Sequence, residues 1–250
     1  MRDQAFHAVI MDHWSRHGRR DLPWRNAINP YRVLVSETML QQTQVPRVIP
    51  KFRSFIRAFP TFRALARAKP VDVLRLWQGL GYNRRALKLL DCARVVHGQS
   101  RGRLPQDPDA LVRLPGIGAY TAGAIRVFAF DRPVPLLETN IRRVYLHHFF
   151  PGQSNIADAR LIPVIERTMD RGHPRRWFSA LMDYGSWLTG RTPNPNRRSR
   201  HYVRQSRFEG SDRQLRGKVL RAMLGATPMP VDRRTNRIVK ELIDEGFVVS

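Results

Sequence analysis

Cysteine is almost missing from this 250-residue chain, where Cys92 stands alone. One thiol closes no intramolecular disulfide, and one thiolate cannot hold an iron–sulfur cluster, which takes several. A cytoplasmic setting is the expectation that follows. Acidic residues are scarce as well: 20 Asp+Glu stand against 44 Lys+Arg, for a formal charge of +24. That balance points to a polyanionic partner bound in a salt-dependent way. No run of 18 apolar residues occurs, so no segment is expected to cross a membrane as a helix. The opening MRDQAFHAVIMDHWSRHGRR has no continuous apolar stretch of the secretory kind and reads as an amphipathic helix. Alternating strand patterns are missing before residue 245, and no sequence repeat recurs.

What remains is helical. Apolar spacing of three to four residues, or helix-favouring composition, predicts helices over 4–17, 31–43, 46–58, 61–67, 70–78, 83–97, 108–114, 119–129, 140–149, 157–170 and 174–189. Pro23, Pro30, Pro60, Pro70, Pro105, Pro133 and Pro151 fall between them. Gly210-Ser211 breaks the chain, after which 212–224 and 231–245 read as two short helices and 247–249 as a small strand. Residues 210–250 are therefore expected to form a winged-helix-like appendage or a plain helical hairpin.

The run Leu114-Pro115-Gly116-Ile117-Gly118-Ala119-Tyr120-Thr121-Ala122 is the most informative stretch. Asp107 reads as an N-cap with Pro108 at the first helical position. Gly116 and Gly118 then turn the chain into a second small, apolar helix whose unpaired N–H groups suit a phosphate. Such a helix-hairpin-helix holds a nucleic-acid backbone without reading its sequence. An ordinary helix connection is the alternative. Between Asp183 and Glu209 no acidic residue occurs, while Arg191, Arg197, Arg198, Arg200, Arg204 and Arg207 all lie there. This is a phosphate-facing strip or a solvated loop.

Two carboxylates stand out. Glu37 lies in the otherwise uncharged stretch from Val35 to Gln44, and Glu138 immediately precedes a helix. A lone acid in an apolar helix can be structural, and an acid ahead of a helix can simply favour its N-terminus. Beside a DNA-holding hairpin, the pair suits cleavage of an N-glycosidic bond. One acid protonates the leaving base, and one carboxylate steadies cationic character at the sugar, as in sugar hydrolysis. The base must first leave the stack, which calls for a side chain to fill the gap. Gln42 and Tyr82 are the candidates.

Pro23-Trp24-Arg25, SETMLQQTQV, LWQGLGY, LPGIGAYTAGAI and ETNIRRV occur in the order found in the helix-hairpin-helix glycosylases related to endonuclease III. The SETMLQQTQV and GLGY runs most resemble the MutY branch, the adenine glycosylases acting opposite 8-oxoguanine. The resemblance covers residues 1 to about 190. It implies an all-α fold of two helical lobes with the active site in the cleft between them. The expected division puts 1–25 with 136–209 in one lobe, 26–135 in the other, and 210–250 in the appendage. By the same resemblance Glu37 is the general acid, Glu138 stands where the family usually has Asp, and Asn140 helps hold water or the carboxylate. Tyr120 stands where bifunctional relatives carry the lyase Lys, which implies a monofunctional enzyme. Trp24, Arg25 and Leu40 line the base pocket, and Ser179 occupies a position where relatives often have a Gln or Glu that touches the adenine. Gln41, Gln42, Thr43 and Tyr82 belong to the DNA side, with Gly116, Gly118, Arg197, Arg198 and Arg200 on its phosphates.

Most relatives carry four cluster-ligating cysteines after this region, and Leu188 to Arg198 has none. No metal and no cofactor are expected. Residues 210–250 are also shorter than the family's C-terminal recognition domain. Three functions stay open: an adenine glycosylase opposite 8-oxoguanine or G, a mismatch thymine or uracil glycosylase, and a non-catalytic DNA binder of the same fold. Double-stranded DNA bearing a mispaired or oxidised base pair is the expected partner. The protein is expected to be a monomer in the cytoplasm, at the nucleoid.

Overall fold

The computed structural model describes residues 3–204, 206–225, 228 and 232–247. Among them the structure is helical and holds no strand; only two isolated bridges occur, Ile156 with Ser199 and Thr189 with Thr192. In chain order the helices are α1 (Asp3–His17), α2 (Pro23–Asn26), α3 (Pro30–Leu40), α4 (Val45–Ala58), α5 (Phe62–Ala66), α6 (Pro70–Trp77) and α7 (Arg84–Ser100). There follow α8 (Pro108–Val112), α9 (Ala119–Phe128), α10 (Thr139–Phe149), α11 (Asp158–Thr168) and α12 (Pro174–Trp187). A 3-10 turn (Pro195–Arg198), α13 (Asp212–Met223) and α14 (Arg233–Asp244) close the order.

Local chemistry explains many of the starts. Proline fills an opening position of α2, α4, α6, α12 and the 3-10 turn, where the missing N–H costs nothing. Thr61, Ser211 and Asp232 cap α5, α13 and α14 with side-chain oxygens.

Two compact units emerge. The first comprises 1–33, 105–112 and 117–204, and the second 34–104, 113–116 and 205–250. The core of the first unit gathers Phe6 and Ile10 of α1, Val127 of α9, Ile141 and Tyr145 of α10, Ile165 of α11 and Trp177 of α12. The Phe6 ring stands edge-on to Trp177 at 5.8 Å and tilted against Tyr145 at 5.3 Å. Each such side chain contributes roughly 1.5–3 kcal/mol by leaving water. In the second unit Phe52 and Phe55 of α4, Leu65 of α5, Trp77 of α6 and Leu90 of α7 are buried, with Phe55 edge-on to Trp77 at 6.0 Å.

The division differs from the expected one: residues 26–33 and α8, expected in the lobe 26–135, group with the first unit. Helix α9, expected in the lobe 26–135, joins the first unit because its face packs on α12 and buries Val127 in that core. Residues after 204 group with the second unit instead of standing apart. Arg216 ties α13 to α14 through Glu241 and to Glu245 just beyond it, while Glu245 meets Arg84 of α7 at 4.0 Å and Arg213 Nη1 donates to Tyr82 OH at 3.4 Å. The described tail is the helix pair α13 and α14. Of the strand expected at 247–249, Phe247 is buried, and the other two residues lie outside the described ones.

Candidate active site

Each unit presents a carboxylate of its own. In the first unit Glu138 is the N-cap of α10, with extended backbone and its side chain folded onto the helix start. Its Oε1 accepts the N–H groups of Asn140 at 2.7 Å and Ile141 at 2.8 Å. Its Oε2 accepts Asn140 Nδ2 at 3.4 Å. The helix-start role foreseen for this acid is the one these hydrogen bonds show. Burial pushes its carboxyl above the usual range, against the pull of the two backbone donors and of Arg143 and Arg142.

Asn140 has its own support. Arg143 Nη1 donates to Asn140 Oδ1 at 2.7 Å and to the Gly185 carbonyl of α12 at 2.6 Å. Because the guanidinium can only donate, it assigns the amide oxygen and turns Nδ2 toward Glu138. Helix α12 comes close here. A Cβ on Gly185 would land on the Asn140 carbonyl, so only glycine fits. Arg143 escaped sequence reasoning, although its spacing of three from Asn140 in a helix was the available signal.

Trp24, Arg25 and Ser179 also lie in the first unit. Trp24 and Ser179 are buried. The Arg25 guanidinium is committed within the protein: Nη1 donates to Asp183 Oδ2 at 2.8 Å, and Nη2 to Asp183 Oδ1 at 3.1 Å and the Ser179 carbonyl at 3.4 Å. Arg19 holds the same carboxylate through Nε at 2.8 Å and Nη2 at 2.6 Å. Burial alone would raise Asp183; the hydrogen bonds and charges of Arg25 and Arg19 outweigh it and hold the group below the usual range. Asp183 is another group that carried no signal in the sequence. Tyr120 is the second residue of α9, partly buried.

In the second unit Glu37 sits on α3, 9% exposed, one turn before the helix ends. Leu40 is its last residue. The helix expected over 31–43 stops there because Gln42 takes a left-handed conformation, with φ of 55°. Leu40, Gln41 and Thr43 are partly buried and Gln42 is exposed. Tyr82, 43% exposed, also has a positive φ of 46°. The two residues foreseen as entering the duplex are therefore both held in backbone conformations rare for side-chain-bearing residues.

The hairpin joins α8 to α9. Gly116 has φ of 77°, and a Cβ there would fall 2.8 Å from Lys88 Cβ, so the turn needs glycine both for conformation and for close packing on α7. Nothing crowds Gly118, whose backbone opens α9. A cleft of about 140 Å³ lies between Gly116, Pro115 and Lys88 on one side and Thr38 and Gln41 on the other.

The basic strip divides by role. Arg197 and Arg200 are exposed, Arg200 donating to Asn155 Oδ1 at 3.2 Å. Arg198 turns inward: Nη1 donates to the Phe150 carbonyl at 2.6 Å and Nη2 to the Leu146 carbonyl at 2.7 Å, at the end of α10. Asn196 is buried and donates to the Thr139 carbonyl at 3.0 Å. The segment from Leu188 to Arg198 is thus fastened to both ends of α10 by side chains. These residues do not fit an iron–sulfur cluster, since none is a thiolate. The single cysteine is buried in α7, where burial pushes its thiol up to about 12.

Residues 35–161 match the HhH-GPD superfamily base excision DNA repair protein family. An adenine DNA glycosylase from Mycolicibacterium smegmatis is 39% identical over 237 residues, covering 88% of this chain and 80% of the relative. A solved thermostable thymine-DNA glycosylase is similar with a TM-score of 0.66 at 26% identity, covering 77% of this chain and 90% of that one. A solved non-covalent endonuclease III–DNA complex is similar in fold, with a TM-score of 0.56 at 18% identity over 75% of this chain and 86% of that one. With its helical hairpin and its two carboxylates, the chain belongs to the HhH-GPD superfamily of base excision DNA repair proteins.

Proposed function

We propose that the chain is a monofunctional glycosylase that hydrolyses the N-glycosidic bond of adenine mispaired with 8-oxoguanine or G. The observation that carries the reading is that the family match takes in Glu37, Tyr120, Glu138 and Asn140 together. The 39% identity to an adenine DNA glycosylase supports adenine as the base. In this reaction Glu37 delivers a proton to a ring nitrogen of the extruded base. The C1′–N bond breaks and its electron pair goes to the base. The Glu138 carboxylate faces the cationic sugar, and a water held beside Asn140 adds at C1′ and passes its proton to that carboxylate. With Tyr in place of an amine at position 120, no Schiff base forms there and the product is an abasic site. We propose further that no iron–sulfur cluster takes part, the Leu188 to Arg198 segment being held by its own side chains.

The test incubates the purified chain with duplexes bearing A:8-oxoG, A:G, T:G and U:G, then reads alkali-labile sites and borohydride trapping. Alkali-dependent cleavage at A:8-oxoG and A:G, without trapping, is the expected result. Preference for T:G or U:G would favour the thymine-type reading that the likeness to a thymine-DNA glycosylase raises. Binding without any abasic product would make the chain a DNA-binding protein only.

A further inference from the structure

Arg85, in the first turn of α7, gathers both loops foreseen as entering the duplex. Its Nη1 donates to the carbonyls of Thr38 at 2.7 Å, Met39 at 3.2 Å and Gln41 at 2.6 Å. Its Nη2 donates to Thr43 Oγ1 at 3.2 Å and to the carbonyls of Leu80 at 3.2 Å and Gly81 at 3.0 Å. Its Nε reaches the Tyr82 carbonyl at 3.3 Å. The guanidinium also lies over the rings of Trp77 at 5.5 Å and Tyr82 at 5.6 Å. These partners are carbonyls, one hydroxyl and two ring faces, on both sides of Gln42 and up to Tyr82.

Three consequences meet in this arrangement. The carbonyls of Thr38 and Met39 belong to the last turn of α3, whose acceptors no longer have partners within the helix. A cation there is favourable by charge as well as by hydrogen bonding. The same fork fixes the loop from Leu80 to Tyr82. Gln42 and Tyr82 both hold positive φ, a conformation that persists only where the surroundings over-determine it. The planar five-donor head of arginine can span two loops in this way, and a lysine cannot.

We propose that Arg85 is a positioning residue that makes the Gln42 and Tyr82 loops one rigid, two-pronged wedge, so that extrusion of the base depends on it and bond cleavage does not. This inference rests on the glycosylase reading only for its second half. Extrusion itself needs no chemistry.

The experiment uses the full chain and two readouts. The first is fluorescence of 2-aminopurine placed at the target position, which rises when the base leaves the stack. The second is the single-turnover rate on A:8-oxoG, compared with a duplex whose target adenine faces an abasic site and is already unpaired. Arg85→Lys should lower the fluorescence rise and slow the paired duplex at least tenfold, while the unpaired duplex slows less than threefold. Arg85→Met should do the same more strongly. Thr43→Val, which removes one acceptor of the fork, should give a smaller fall in the same direction and carries the test if both Arg85 variants fail to fold. An equal slowing on both duplexes, or an unchanged fluorescence rise in a folded Arg85→Lys, would overturn the inference. A wild-type chain that raises no fluorescence would overturn it too. A wild-type chain that extrudes without cleaving any duplex would instead overturn the proposed function and leave the wedge standing.

Discussion

Gly185→Ala is the sharpest test of how the Glu138 region is built. The new Cβ would land on the Asn140 carbonyl oxygen, with the carbonyl carbon 2.7 Å and Asn140 Cβ 2.9 Å away. Two effects oppose each other. Alanine is the better helix former, worth about 1 kcal/mol over glycine in a helix interior. Overpacking costs about 1–3 kcal/mol, and more where the obstacle cannot move. Here the obstacle is the backbone of α10, which carries Glu138 and Asn140 at its start, so the steric term wins. A net loss of about 2 kcal/mol follows, which in a chain of this size lowers Tm by about 4–8 °C. The Arg143 bridge from Asn140 to the Gly185 carbonyl must lengthen with the same shift. A displacement of about 1 Å at a reacting centre can cost on the order of 10²-fold in rate. Thermal melting and single-turnover kinetics on A:8-oxoG read the two effects separately. A variant that melts and reacts like the parent would show that α10 and α12 yield freely and that their close approach does not place Asn140.

Three further outcomes are expected. Glu37→Gln should bind duplex normally but slow the single-turnover step by about 10²–10⁴-fold, and parental kinetics would remove Glu37 from the mechanism. Asp183→Asn leaves Arg25 and Arg19 without their carboxylate. A broken buried pair costs about 3–5 kcal/mol, and about 3 kcal/mol is expected here because Arg19 keeps a third of its side chain in water. Since the folded carboxyl lies below its ordinary value of 3.8, this stabilisation is complete above that value and is lost as pH falls further. The melting gap between parent and variant should therefore hold at neutral pH and narrow only in strong acid; a gap that closes near pH 6 would contradict the assignment. In the basic strip, Arg197→Ala and Arg200→Ala should each reduce the salt slope of DNA binding by about one. Arg198→Ala should instead lower stability by about 2 kcal/mol through its two carbonyls, and a reversed pattern would show that the exposed pair is not on phosphate.

Helix positions were largely legible in the sequence because proline, caps and apolar spacing act locally. Pro174 opening α12 and the Ile141, Val144, Tyr145 stripe of α10 needed nothing from elsewhere in the chain. The end of α3 was not legible in this way. Residues 41–43 have ordinary helical composition, and it is the Arg85 fork from a distant helix that takes the carbonyls of Thr38, Met39 and Gln41 and the Thr43 hydroxyl in a turn. The four-residue α2 and the 3-10 turn at Pro195 are too short for periodicity to register. In the site, Glu37 and Glu138 stood out as charges in apolar or helix-opening positions. Arg85, Arg143 and Asp183 did not, since a lone arginine among 44 Lys+Arg carries no signal until its acceptors are seen.

The segment from Leu188 to Arg200 contains neither cysteine nor methionine, yet Asn196 fastens it to the start of α10 and Arg198 to its end. A tether of guanidinium, amide and carbonyl groups has no electron to lose and no ion to give up. Oxidants and chelators find nothing in it to attack, and the only thiol of the chain is buried and held in its unreactive, protonated form. The ties that Asn196 and Arg198 make to the two ends of α10 therefore contain no group that oxidation or chelation removes, and they form as the chain folds.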